Sequence, residues 1–150
     1  MNYTDAEIGH YMAHCINLAT RADVGIRKPL VGALVLSSDG EIVGEGYKKF
    51  IPFTSMINHA ERVALDQAGD AARGGTLVTT LEPCIKIGRK QVLSSCSDLI
   101  IERGIATVVY CLQDNNCRSN NRSPQKYLQK QGIEVIADTT WTDRILDQLH

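Results

Sequence analysis

Residues 30–47 narrow the possible folds more than any other stretch. Two apolar, β-branched runs lie there: Leu-Val-Gly-Ala-Leu-Val-Leu-Ser from Leu30, and Glu-Ile-Val-Gly-Glu-Gly-Tyr ending at Tyr47. Ser38-Asp39-Gly40 separates them. Such runs around a turn tripeptide read as two strands of a hairpin. Beyond Tyr47 the pattern alternates between helix and strand. Residues 59–71 have a helical pattern, with Val63, Ala64, Gln67 and Ala68 on one face. Gly74-Gly75 breaks the chain, and Thr76–Leu81 is a third strand. A helix over 96–103 stops at Gly104, and 105–112 form a buried strand. A helix over 123–131 opens on Ser123-Pro124, a fifth strand covers 133–137, and a helix covers 140–149. Ahead of the hairpin, residues 4–21 form a helix capped by Thr4 or Asp5, with Ile8, Met12, Cys15 and Ala19 in register. The segments 48–58, 83–95 and 113–122 read as loops. A hairpin followed by alternating helices and strands predicts an α/β protein: a five-stranded mixed sheet in a three-layer α/β/α sandwich.

The chain's 150 residues suit one domain over 1–150, large enough for a core without disulfide staples. No run of about 18 apolar residues is present, and Met1–His10 lacks the basic and apolar regions of a signal peptide. A cytoplasmic protein is expected. The formal net charge is −1, which argues against nucleic acid as the main partner. Five cysteines, an odd number, argue against a disulfide framework and for burial or metal binding.

His59-Ala60-Glu61 sits where a loop enters a helix. In mid-helix the two side chains would point about 200° apart. At the N-terminus both can reach a metal lying off the helix end, where the dipole also favours an anion. Glu82-Pro83-Cys84 follows a strand, and Cys96 opens a helix. Sites in α/β sheets gather beyond the carboxyl ends of strands. One histidine and two cysteines leave a fourth position for water, the pattern of a catalytic zinc. Zinc brings the pKa of its water to about 7, and Glu61, not a ligand, is free for proton transfer.

His59-Ala60-Glu61 and Thr80-Leu81-Glu82-Pro83-Cys84 resemble the two motifs of the cytidine deaminase-like zinc deaminases. The resemblance covers roughly residues 5–138. Val31-Gly32-Ala33, Gly44-Glu45-Gly46-Tyr47, Gly88-Arg89 and Gln113-Asp114-Asn115 are most similar to the pyrimidine deaminases of riboflavin biosynthesis, the diaminohydroxyphosphoribosylaminopyrimidine deaminases. The resemblance implies hydrolytic deamination of an aminopyrimidine carrying ribosyl-phosphate, a zinc cofactor, and a homodimer or homotetramer. The chain ends at His150, which predicts a stand-alone deaminase with no reductase domain after it. Three departures stand out. Lys28-Pro29 replaces the family's frequent Asn-Pro, Lys48 follows Gly46-Tyr47, and eleven residues separate Cys84 from Cys96 where two is common in the superfamily. Lys86, Arg89 and Lys90 lie in that insertion, and Lys28 and Lys48 lie on or near the hairpin. Together they predict an anchor for a phosphate.

Cys96 is the third ligand by elimination. Cys111 reads as a buried strand residue, Cys15 as core and Cys117 as a free thiol in a polar loop. His10 and His14 are one helical turn apart but lack a further ligand. Asn58 is expected either to cap the helix behind it or to touch the substrate ring. Asp114 and Asn115 are expected to organise their loop. The competing readings are a tRNA or other nucleic-acid adenosine deaminase, favoured by the long 48–58 loop, and a non-enzymatic zinc-stabilised assembly module. The intact Glu61 argues against the latter.

Overall fold

A computed structural model describes residues 3–25, 27–85, 94–114 and 123–150. The first helix, α1, spans Asp5–Ala19. Thr4 caps it in a reciprocal box: Glu7 N donates to Thr4 Oγ1 at 3.1 Å, and Thr4 N donates to Glu7 Oε1 at 3.0 Å. Strands β1 (Gly32–Leu36) and β2 (Ile42–Tyr47) form the expected antiparallel hairpin. β1 also pairs antiparallel with the later strand Thr76–Leu81. That strand, β5, pairs in parallel with β6 (Thr107–Leu112), and β6 with β7 (Glu134–Ala137). The sheet order is β2-β1-β5-β6-β7, mixed and five-stranded as predicted.

The remaining helices are α2 (Ala60–Ala68), α3 (Cys96–Glu102), α4 (Pro124–Lys130) and α5 (Thr142–Leu149). Their packing explains the unbroken apolar run of β1. Ala33 and Val35 face one core, with Ala60, Ala64, Leu65, Leu99, Ile100 and Leu128 from α2, α3 and α4. Leu34 and Leu36 face the other, with Met12, Cys15 and Ile16 of α1 and Ile145 and Leu149 of α5. Successive strand residues point to opposite faces, so a strand covered on both sides is apolar throughout.

The structure refines several boundaries. The 48–58 segment holds two short antiparallel strands, β3 (Lys49–Phe50) and β4 (Ile57–Asn58). α2 stops at Ala68, earlier than expected, because Gly69 takes φ 56° and a 3₁₀ turn over Gly69–Ala72 follows. A second 3₁₀ turn, Thr139–Trp141, precedes α5. Two glycines of β2 let α2 lie directly on the sheet. A Cβ on Gly44 would collide with Ala64 O, and one on Gly46 with Ala60 O. Among the described residues no helix is long and apolar enough to cross a membrane.

Candidate active site

His59 is the N-cap of α2, with extended backbone (φ −68°, ψ 149°) and no side-chain capping bond. Its imidazole is therefore free to point off the helix end. This corrects the expectation that Asn58 caps α2. Asn58 pairs with Lys49 in the small β3–β4 ladder instead. Its Oδ1 is buried and has no hydrogen-bond partner among the described residues. Cys84 comes three residues beyond β5, and Cys96 is the first residue of α3. Ser95 caps that helix by accepting from Asp98 N at 3.0 Å.

These elements bring one imidazole and two thiols together. His59 Nδ1 lies 3.7 Å from Cys84 Sγ and 3.4 Å from Cys96 Sγ. All three candidate ligand atoms fall within 4.8 Å of one another. Tetrahedral zinc, with Zn–S about 2.3 Å and Zn–N about 2.05 Å, requires N···S separations of about 3.6 Å. The donor set and its spacing thus fit zinc. Cys96 N also donates to Cys84 Sγ at 3.3 Å, a bond that favours the thiolate.

The protein groups alone polarise one another. A hydrogen bond from Cys96 pulls the Cys84 thiol well below its ordinary range, helped by His59 and opposed by burial. Cys96 is pushed well above it, by the Cys84 interaction first and burial second. His59 is raised, chiefly by its hydrogen bond with Cys84.

Glu61 lies one residue into α2 and is only 4% exposed. Thr79 Oγ1 of β5 donates to its Oε1 at 3.1 Å. Its Oε2 is 3.6 Å from Cys96 Sγ. Burial raises the Glu61 carboxyl above the usual carboxylate range; His59 and the Thr79 bond pull it partly back. A cavity of about 470 Å³ opens over these groups. Lys28, Lys48, Glu82, Gln113, Asp114, Leu146 and His150 are among the residues lining it. Lys48 is half-buried; desolvation lowers its pKa, while Glu61 and Asp114 counteract that.

The expected basic cluster is represented in the cavity by Lys28 and Lys48. Lys86, Arg89 and Lys90, with Asn115 and Cys117, lie outside the described residues. His14 does not approach the site: its Nε2 is 3.4 Å from Glu45 Oε2. Cys15 and Cys111 are buried in the core facing α1 and α5. Sequence reasoning missed Thr79, Glu82, Leu146 and His150. Thr79 directly precedes the Thr80–Cys84 motif and Glu82 lies within it; polar side chains at the end of a buried strand were the signal. Nothing in the local pattern of α5 pointed to the cavity.

A three-layer mixed sheet with a His-Cys-Cys cluster and a buried glutamate beside it is the arrangement of a zinc-binding deaminase domain. Residues 6–112 match the cytidine and deoxycytidylate deaminase zinc-binding region, and the chain belongs to that family. It is 40% identical over 127 residues to the riboflavin biosynthesis protein RibD of Escherichia coli, covering 84% of this chain and 32% of that protein. It therefore spans about a third of the length of that relative. It is 36% identical over 126 residues to the diaminohydroxyphosphoribosylamino-pyrimidine deaminase of Buchnera aphidicola, covering 83% of this chain and 80% of the relative. The crystal structure of a Thermotoga maritima diaminohydroxyphosphoribosylaminopyrimidine deaminase/5-amino-6-(5-phosphoribosylamino)uracil reductase superposes with a TM-score of 0.77 at 34% identity. That match covers 95% of this chain and 39% of the other.

Proposed function

We propose that this protein hydrolytically deaminates an aminopyrimidine bearing a ribosyl-phosphate, a step of the riboflavin pathway. The observation that carries the reading is the convergence of His59, Cys84 and Cys96 beside buried Glu61, in a cavity that also contains Lys28 and Lys48. His59, Cys84 and Cys96 would hold the metal. Zinc bound there supplies Lewis acidity sufficient to bring the pKa of a water to about 7.

Glu61 handles the protons. Its carboxylate takes one from the attacking water and delivers it to the ring nitrogen next to the reacting carbon. It then supports protonation of the departing amine, so that C–NH₂ and water become C=O and ammonia. Thr79 holds Oε1 and so fixes the rotation of the carboxyl group. Asn58, whose buried Oδ1 has no hydrogen-bond partner among the described residues, is the further side chain proposed to contact the substrate ring. Lys48 gives up solvation inside the cavity, and a phosphate would restore favourable contacts to it. Lys86 and Arg89 are the further cations proposed for that anion.

Ammonia release from the phosphorylated diaminopyrimidine, compared with its dephosphorylated form, tests the reading. Lys48→Met should raise KM for the phosphorylated compound by about tenfold or more and leave the other unchanged. Equal effects on both would remove Lys48 from the anion site. The expected homodimer or homotetramer has support in the exposed Phe50, Phe53 and Met56 on and between β3 and β4. Sedimentation of the purified protein checks it.

A further inference from the structure

Glu82 is 1% exposed and lies between the strand that ends at Leu81 and the candidate ligand Cys84. A carboxylate buried this deeply is costly unless hydrogen bonds compensate it. Its backbone N–H donates to Leu112 O at 2.7 Å, extending the β5–β6 pairing by one residue. Its side chain then crosses to two later segments. Oε1 accepts from Asp114 N at 3.1 Å, and Oε2 accepts from Gln125 N at 3.2 Å. Gln125 is tied down a second time, by Tyr110 Oη donating to its Oε1 at 2.8 Å.

One carboxylate thus joins three pieces of backbone: the segment leading to Cys84, the exit of β6, and the first turn of α4. The exit of β6 is functionally placed, because Leu112, Gln113 and Asp114 line the cavity above Glu61. We infer that Glu82 is a positioning residue, which holds the Gln113–Asp114 wall at the distance from the metal cluster that substrate binding requires. The inference rests on the deaminase reading and adds a determinant of substrate affinity to it. The acidic group is specifically required. Asp114 and Gln125 both present backbone N–H donors to it, and an amide in its place would turn a donor of its own towards one of them.

Glu82→Gln and Glu82→Asp in the zinc-loaded full chain test this. Three quantities are read: bound zinc, KM with kcat, and amide hydrogen exchange at Asp114 and Gln125. Glu82→Gln should keep its zinc, raise KM about tenfold, and change kcat by less than about threefold. Exchange at both amides should accelerate. Glu82→Asp, which keeps the charge on a shorter arm, should fall between the two, and decides the matter if the glutamine variant does not fold. Faster exchange with unchanged KM would overturn the positioning role, as would an equal loss in kcat together with loss of zinc. Absence of ammonia release from the unmodified protein would instead reject the deaminase reading. The exchange data would then still report on the clamp itself.

Discussion

A carboxyl group that must first accept a proton and then return it works best with a pKa closer to neutrality than that of a surface glutamate. Glu61 is pushed in that direction by burial, and His59 and Thr79 limit the push. Its neighbours are metal-ligand candidates, so a neutral isostere separates the two jobs. Glu61→Gln should retain zinc and lose about 10²- to 10⁴-fold in turnover. Zinc content by atomic absorption and ammonia release measure both sides. A variant with zinc and undiminished turnover would remove Glu61 from the proton path. The residues legible from sequence were those in contiguous motifs, His59, Glu61 and Cys84. Cys96 follows only by elimination, across an eleven-residue gap. Glu82 lay inside a recognised motif, yet its partners Asp114 and Gln125 are 32 and 43 residues downstream, beyond any local pattern.

Element boundaries show what local patterns carry. Strands covered on both faces announce themselves as apolar runs, and the hairpin as a turn tripeptide between two of them. β3 and β4 have two residues each, shorter than the runs on which strand reading depends. The end of α2 depended on a left-handed glycine, Gly69, that the apolar spacing did not mark. The contact between α2 and β2 has a sharper consequence, because α2 begins at the site and packs through backbone-close glycines. Gly46→Ala would force Ala60 O away, at a cost of about 1–3 kcal/mol or more. It would also displace the start of α2, where His59 and Glu61 sit. A fall in thermal midpoint accompanied by weaker zinc affinity is expected. A lower midpoint with unaltered zinc affinity would show that the cluster tolerates movement of α2.

At the scale of the molecule, the sheet divides the interior into a core under α2, α3 and α4 and a core under α1 and α5. His59 and Cys96 stand at the starts of α2 and α3, on the side of the first, while Leu146 of α5 and His150 reach the cavity from the side of the second. The second holds Cys15, fully buried, with its thiol donating to Val78 O at 3.4 Å. Burial raises the Cys15 pKa. Above about pH 8.5 the unfolded thiol loses its proton while the folded one keeps it. The folded state then binds more protons, so this stability is present below that pH and declines above it, by about 1.4 kcal/mol per pH unit. Cys15→Ala should flatten the alkaline limb of a denaturation series by that slope; an unchanged limb would place the titration elsewhere. The central claim is that zinc at His59, Cys84 and Cys96 serves deamination of a phosphorylated pyrimidine. Ammonia release per bound zinc, from the diaminopyrimidine ribosyl-phosphate and its dephosphorylated form, measures that most directly. We predict one zinc per chain, release that disappears on chelation and returns with zinc, and a clear preference for the phosphorylated ring. Full zinc occupancy with no ammonia from either compound would contradict it.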